Sequence, residues 1–182
     1  GFAKQNSWNA KLIENSAKDD DMWIYLPALK KVRRMVASEK KSSFVGTDFS
    51  YGDVIGHKVS EWEHKLLREE SVDGVDCYVI ESTAKTPAVK ANTGYAKRVG
   101  WVRKDGFVTQ KGELYDESGQ LWKKLGFVGW KLVDTAKGRW SADELHAQDL
   151  QSGHGTVIKI ENLKVNQGIK DDYFTTRYME QP

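Results

Sequence analysis

The chain has 182 residues, with 28 basic against 26 acidic side chains and a formal net charge of +2. That length suits one domain with a sizeable core, and the charge balance excludes the strongly basic footprint of a nucleic-acid binder. The lone cysteine, Cys77, excludes an intramolecular disulfide, and no run approaches the roughly 18 apolar residues of a membrane-spanning helix.

Sixteen glycines between extended runs, with seven Trp, seven Tyr and six Phe, suit a turn-rich β-protein. The chain opens with Gly1 rather than Met, so it is expected to be a processed or trimmed product that has lost its signal peptide. AKLIE (residues 10–14) reads as a short strand fragment. Asp19, Asp20 and Asp21 read as a solvated turn, because the spaced ligands and glycine of a calcium loop are missing. MWIYL (22–26) is an apolar run of aromatic and β-branched residues that fits a pleated, half-buried surface. Pro27 cannot donate a ladder hydrogen bond and marks a bend. KVRRMVA (31–37) then resumes extended character, so residues 22–37 are expected to form an antiparallel hairpin. SSFVGTDFSYGDV (42–54) is different, placing Phe44, Val45, Phe49 and Tyr51 among Ser, Thr, Asp and two glycines. Large apolar groups on a polar loop either plug a core or cover a cavity.

WEHKLLREESV (62–72) alternates loosely and passes through the turn signal VDG (72–74) into VDCYVIEST (75–83). That strand puts Cys77 and Val79 on one face and Tyr78 and Ile80 on the other; Cys77 there is a buried, inert thiol. Residues 85–93 read as a polar connection containing Pro87. RVGWVR (98–103), the turn KDG (104–106) and FVTQKGELY (107–115) carry the strongest hairpin signal in the chain. After the turn DESG (116–119), Gly126 and Gly129 predict a curved or bulged strand over 120–134. Residues 138–151 allow two readings. One is a helix capped by Ser141 with Glu144 as its box partner. The other, adopted here, is a strand that SGHG (152–155) turns into TVIKIENLKV (156–165). There is no internal repeat and no linker, so residues 1–182 read as a single domain. Successive hairpins with short turns predict a mainly β fold, one antiparallel sheet curved into an open or closed barrel.

MWIYLPALKKVRRM, FVGTDFSYGD (44–53) and the closing N-x-G-I-x-D-x-x-F-T-x-R-Y (166–178) together resemble the outer-membrane lipoprotein-sorting proteins of the LolA/LolB-like superfamily. Trp23, Tyr25 and Pro27 match the W-x-Y-x-P hairpin of the periplasmic lipoprotein carrier. The resemblance runs from Asp20 to Tyr178. It implies an incomplete antiparallel β-barrel whose mouth is covered by a loop or short helices, with an apolar cavity for acyl chains. It also implies a periplasmic location, no cofactor, lipoprotein acyl chains or another lipid as ligand, and an inner-membrane donor and outer-membrane acceptor as partners. A carrier of this type has further strands and a helix before the W-x-Y-x-P hairpin. Only residues 1–19 precede the matching stretch here, so the domain is expected to lack that N-terminal segment, and nothing is carried over from it.

An acyl-chain site needs an apolar trough, aromatic walls and a way to open; each buried methylene contributes roughly 0.8 kcal/mol. The candidate walls are Trp23, Tyr25, Leu26, Val79, Ile80, Trp101 and Trp122, with Phe44, Phe49 and Tyr51 as the cover. The competing reading makes all of them ordinary core. The basic run 30–41 offers Arg33 and Arg34 for a headgroup or partner, on opposite faces if the segment is a strand. An enzyme is disfavoured: there is no G-x-S-x-G elbow, no H-E-x-x-H and no phosphate loop, and His57, His64, His146 and His154 lack zinc-ligand spacing. The expected function is therefore non-catalytic lipid binding. The alternatives are a lipid-sensing regulatory domain on the same fold and a lipid hydrolase.

Overall fold

A computed structural model describes residues 9–13, 21–26, 31–35 and 39–160. The described strands fall into two compact units, divided between Lys40 and Lys41. In the first, β1 (Asn9–Ile13), β2 (Asp21–Leu26) and β3 (Lys31–Met35) form a three-stranded antiparallel sheet in that order. Met22 opposes Met35 and Leu26 opposes Lys31, so the expected hairpin is present. The AKLIE fragment contributes the third strand, on the other edge of β2. Asp19, Asp20 and the closing motif of residues 166–178 lie outside the described residues.

The second unit begins with a tight loop and the short helix α1 (Tyr51–Ile55), followed by a 3-10 turn at Val59–Glu61. Then come β4 (Trp62–Val72), β5 (Val75–Ala84), the helix α2 (Pro87–Thr93), β6 (Tyr95–Arg103), β7 (Thr109–Asp116) and β8 (Leu121–Val128). The last strands are β9 (Lys131–Asp134), β10 (Arg139–Ser141), β11 (Glu144–Asp149) and β12 (Gly155–Lys159). Seven of them form one antiparallel sheet in the order β12-β11-β8-β7-β6-β5-β4, and β9 and β10 pair as a separate ribbon. The large sheet is open, not closed into a barrel. The mainly β, antiparallel expectation holds, with the strands shared among three sheets.

Local chemistry explains the joints. Asp73 and Gly74 both take positive φ, 51° and 77°, as a two-residue hairpin turn requires. Gly129, at φ 73°, ends the run expected as one curved strand, and β9 leaves to pair with β10. The two readings of residues 138–151 resolve to strand, with Glu144 to Asp149 paired to β8 on one side and β12 on the other. The polar connection expected at 85–93 is instead α2. Thr86 caps it by accepting from the Val89 N–H at 3.2 Å, Pro87 occupies its first turn, and Gly94 ends it in the left-handed region. Phe107, expected to start β7, belongs to the turn, with φ 53° and three quarters of its surface exposed.

Two apolar clusters hold the sheet, one on each face. Cys77, Val79, Val99 and Trp101 form one, and Trp62, Tyr95 and Leu114, with Trp122 and Leu125, form the other. Directly paired residues point to the same side and the side alternates along each strand. Val79 opposes Trp101, whereas Arg98, between Ser82 and Leu114, points the other way. Of the four bulges in the sheet, two adjust this alternation beside Leu114. Ala96 is the extra residue beside Tyr95, and Trp122 the extra residue beside Lys123, which brings both aromatics onto the face of Leu114.

At one end of the sheet the Asp116 carboxylate ties the β7–β8 turn to the β11–β12 turn. It accepts from the Ser118 hydroxyl at 2.7 Å, the Gln151 side-chain amide at 2.8 Å and the Gln120 N–H at 2.9 Å. These bonds, the Ser118 hydroxyl first, hold its pKa down to about 2. A depressed carboxyl contributes stability that is complete above its unfolded pKa and lost as pH falls through the folded one. Acid unfolding followed by circular dichroism should therefore lose a component between about pH 4 and pH 2 in Asp116→Asn. An unchanged acid limb would remove this carboxylate from the account.

Candidate functional site

The two faces of the large sheet differ in chemistry. On the Val79–Trp101 face, the Trp101 Nε1–H donates to Glu70 Oε1 at 2.5 Å, and that bond, first among several, holds Glu70 below the usual carboxylate range. Lys111 Nζ lies 4.2 Å and Arg68 Cζ 6.0 Å from the Trp101 ring centroid, and Lys97 Nζ lies 4.3 Å from that of Tyr115. Charged side chains thus lie over the aromatic groups of this face. Val79 and Cys77 are fully buried there, and burial pushes the Cys77 thiol up, leaving it a poor nucleophile.

The opposite face carries a row that crosses the sheet through direct pairs: Leu66, Ile80, Gly100, Gly112, Leu125 and Ala147. Every member is apolar or lacks a side chain. Among the described residues, a Cβ at Gly100 would meet only Val102 Cγ2, at 3.9 Å. One at Gly112 would meet only the Val99 carbonyl and Leu125 Cβ, at 3.7 and 4.0 Å, which lie within the sheet. The row is a shallow apolar floor. Its five inter-strand steps, at ~4.8 Å each, give it a length of about 24 Å.

Residues 42–55 lie against this face and form a small, well-bonded unit. Ser43 and Ser50 make an antiparallel bridge, the Phe44 N–H donates to Phe49 O at 2.8 Å, and Val45 and Gly46 turn the chain with positive φ. Phe44 and Phe49 are fully buried and Tyr51 nearly so, with the Phe44 and Tyr51 rings edge to face at 5.3 Å. Two polar anchors hold the segment to the sheet. At one, the Thr156 hydroxyl donates to Asp48 Oδ2 at 2.6 Å; Thr156 continues the apolar row beyond Ala147. At the other, Asp53 closes a capping box with Ser50, accepts from the Tyr95 hydroxyl at 3.0 Å and faces Lys123 Nζ at 3.8 Å. Asp53 and Lys123 are both almost wholly buried. Burial pushes the Asp53 carboxyl up, against the pull of Lys123, Ser50 and Tyr95. The Tyr95 phenol is driven far above its ordinary range by burial and by the Asp53 charge.

The expected walls therefore divide. Ile80 and Trp122 share the face covered by Phe44, Phe49 and Tyr51, while Val79 and Trp101 belong to the other. Trp122 packs against Tyr95 with the rings tilted by 58° and centroids 5.7 Å apart, and its Nε1–H donates to Asp149 Oδ2 at 2.9 Å. It also lines a cavity of about 370 Å3 whose other walls, Lys41, Asp116, Glu117, Ser118 and Gln151 among them, are mostly polar. Trp23, Tyr25 and Leu26 lie on β2 and Arg33 on β3, with side chains outside the described set; Arg34, also on β3, is exposed. Tyr95, Arg98 and Lys123 escape a motif-based reading, since they are scattered singly along the sequence, and Asp53 closes the FVGTDFSYGD motif without being singled out within it. Gly100 and Gly112, directly paired across β6 and β7, carry no signal of this role in the sequence. Among the described residues, no three His, Cys, Asp or Glu side chains gather to hold a metal ion, and no helix is long and apolar enough to cross a membrane.

A family model described only as an uncharacterized protein matches residues 8–181. Among solved structures, a protein described as an outer membrane lipoprotein-sorting domain from Vibrio parahaemolyticus superposes with a TM-score of 0.78 at 28% identity, over 94% of this chain and 71% of that one. A DUF1329 family protein from Desulfovibrio piger gives 0.77 at 35% identity, over 94% and 70%. A LolA superfamily protein from Nitrosomonas europaea gives 0.57 at 28%, over 87% and 67%. No curated protein matches the chain. The fold is that of the LolA-like superfamily of lipoprotein-sorting proteins. Within it, the chain belongs to the DUF1329 family.

The packing of residues 42–55 makes two substitutions informative. Phe44→Ala should lower the unfolding free energy by about 3–5 kcal/mol, as for other buried phenylalanines. Tyr95→Phe, which removes only the donor to Asp53, should cost about 1.5–3 kcal/mol. Urea unfolding measures both; losses within error of zero would detach the segment from the sheet.

Proposed function

We propose that this chain is a periplasmic, non-catalytic carrier that holds acyl chains of lipoproteins, or of another lipid destined for the outer membrane. The observation that carries this reading is the row from Leu66 to Ala147, floored by Gly100 and Gly112 and covered toward β12 by residues 42–55. One leaflet of a bilayer gives an acyl chain about 15 Å of hydrocarbon depth, less than the ~24 Å that the row spans. Binding needs no chemistry beyond burial, at roughly 0.8 kcal/mol per methylene, and nothing in the reading requires a nucleophile or a metal. Phe44, Phe49 and Tyr51 then serve as the cover and Ile80 and Trp122 as walls, with the Asp48 and Asp53 anchors fixing the cover in place. The likeness to proteins named for lipoprotein sorting supports the same reading, as it does periplasmic exchange between an inner-membrane donor and an outer-membrane acceptor.

Native mass spectrometry of protein purified from its own envelope should detect a co-purified lipid, and Trp122 should report a fatty-acyl probe through its emission. Gly100→Leu places a side chain on the floor. It should leave the protein folded while weakening acyl binding at least about tenfold, or ~1.4 kcal/mol. Unaltered binding in that variant would move the site away from the glycine row.

A further inference from the structure

On the covered face, Arg98 is a cation without a counter-charge of its own. Its guanidinium lies 4.1 Å over the Trp62 ring, and its neighbours across the strands are Ser82 and Leu114. Among the described residues it makes no ion pair with any carboxylate and no hydrogen bond, and its Nε is buried without a partner. The nearby acid is Asp53, whose charge is already met by Lys123 at 3.8 Å and by the Tyr95 hydroxyl at 3.0 Å. Arg98 is thus the surplus positive charge of the cluster. Desolvation pulls it down to about 10, against the Asp53 charge, and it remains a cation at neutral pH. Two further buried polar atoms beside it lack hydrogen bonds: the Trp62 Nε1–H, a donor, and Asp53 Oδ1, an acceptor. Trp62 is only 1% exposed and the Asp53 side chain 1%. Arg98 itself is partly exposed and can be reached from solvent.

A desolvated cation held without a partner is costly unless something else supplies the charge. A guanidinium fork matches carboxylate and phosphate oxygens bidentately, and an aromatic ring behind it holds its plane. Position adds the second half of the argument. Arg98 and Gly100 are two residues apart on β6 and point to the same side, about 7 Å from one another. An anionic group on Arg98 would therefore place an attached hydrocarbon tail at the glycine floor.

We propose that Arg98, with the Trp62 Nε1–H, is the headgroup site of an anionic amphiphile, a single phosphate or carboxylate carrying an acyl chain that lies along the Gly100–Gly112 row. Asp53 Oδ1 would accept from a hydroxyl or acid proton of the same headgroup. The inference rests on the acyl-chain reading and narrows it, since an uncharged glyceride end would leave Arg98 unsatisfied.

Delipidated full chain should be titrated with dodecyl phosphate, laurate, uncharged monolaurin and inorganic phosphate, following tryptophan emission and heat. The wild type should bind dodecyl phosphate and laurate at least about tenfold more tightly than monolaurin, and inorganic phosphate only weakly. Arg98→Met should abolish that preference, leave monolaurin binding unchanged and raise the melting temperature of the ligand-free protein, because it removes a partly desolvated charge whose buried Nε has no partner. Arg98→Lys should keep part of the preference. Equal binding of monolaurin and the anions by the wild type would overturn the headgroup site while leaving the acyl site standing. So would a fall in melting temperature, or misfolding, of Arg98→Met, since either makes Arg98 structural. Inorganic phosphate binding as tightly as dodecyl phosphate would assign Arg98 to a free anion and overturn the amphiphile. Failure of every amphiphile to bind would overturn both readings.

Discussion

The Asp53 carboxylate is the contact on which the second unit's architecture depends. It caps the helix it belongs to, takes the Tyr95 hydroxyl and opposes Lys123, so one side chain joins the 42–55 segment to β6 and β8. A buried carboxylate is expensive to hold, and its cost is offset only while these partners stay in place. The segment is therefore held by a localised polar contact as well as by its buried aromatics. That distinguishes it from a core element fixed by apolar packing alone. The segment thus has two defined polar anchors, Asp48 within the Ser43–Ser50 hairpin and Asp53 in the helix that follows it.

The second constraint is the period of the strand. Because side chains alternate, the large sheet presents two independent surfaces with different tasks. One is closed by charged side chains placed over Trp101 and Tyr115, with Glu70 fixing the Trp101 ring. The other keeps its middle row small, and the aromatic groups gather at one side of that row, around Tyr95 and Trp122. The two faces thus differ in kind: charge laid over aromatics on one, and on the other a large buried aromatic cluster beside a row that carries two glycines at its middle. Bulges at Ala96 and Trp122 are what allow adjacent residues to reach the same cluster.

Much of the fold was legible because its signals are local. Turn residues such as Asp73-Gly74 and alternation such as that of residues 75–83 depend on neighbours in the sequence, and they marked the hairpins correctly. The segment at 85–93 was misread because its polar composition masked a complete set of helix signals in Thr86, Pro87 and Gly94. The site was less legible. That Phe44, Phe49 and Tyr51 are exceptional could be read from their polar surroundings. That Val79 and Ile80 face opposite ways follows from alternation alone, but which of them Trp122 joins could not be read, because its side depends on register and a bulge. The Asp53–Tyr95–Lys123 contact joins residues far apart in the chain, and only the sheet's pairing brings them together.

The central claim is that an acyl chain lies on the face carrying Ile80 and Leu125 and not on the one carrying Val79 and Val99. Methyl-labelled protein, with Ile, Leu and Val observed by NMR during titration with laurate, tests it directly. The account predicts intermolecular NOEs from the laurate chain to the methyl groups of Ile80 and Leu125, with Val79 and Val99 silent. NOEs to Val79 and Val99, with none to Ile80 and Leu125, would contradict it.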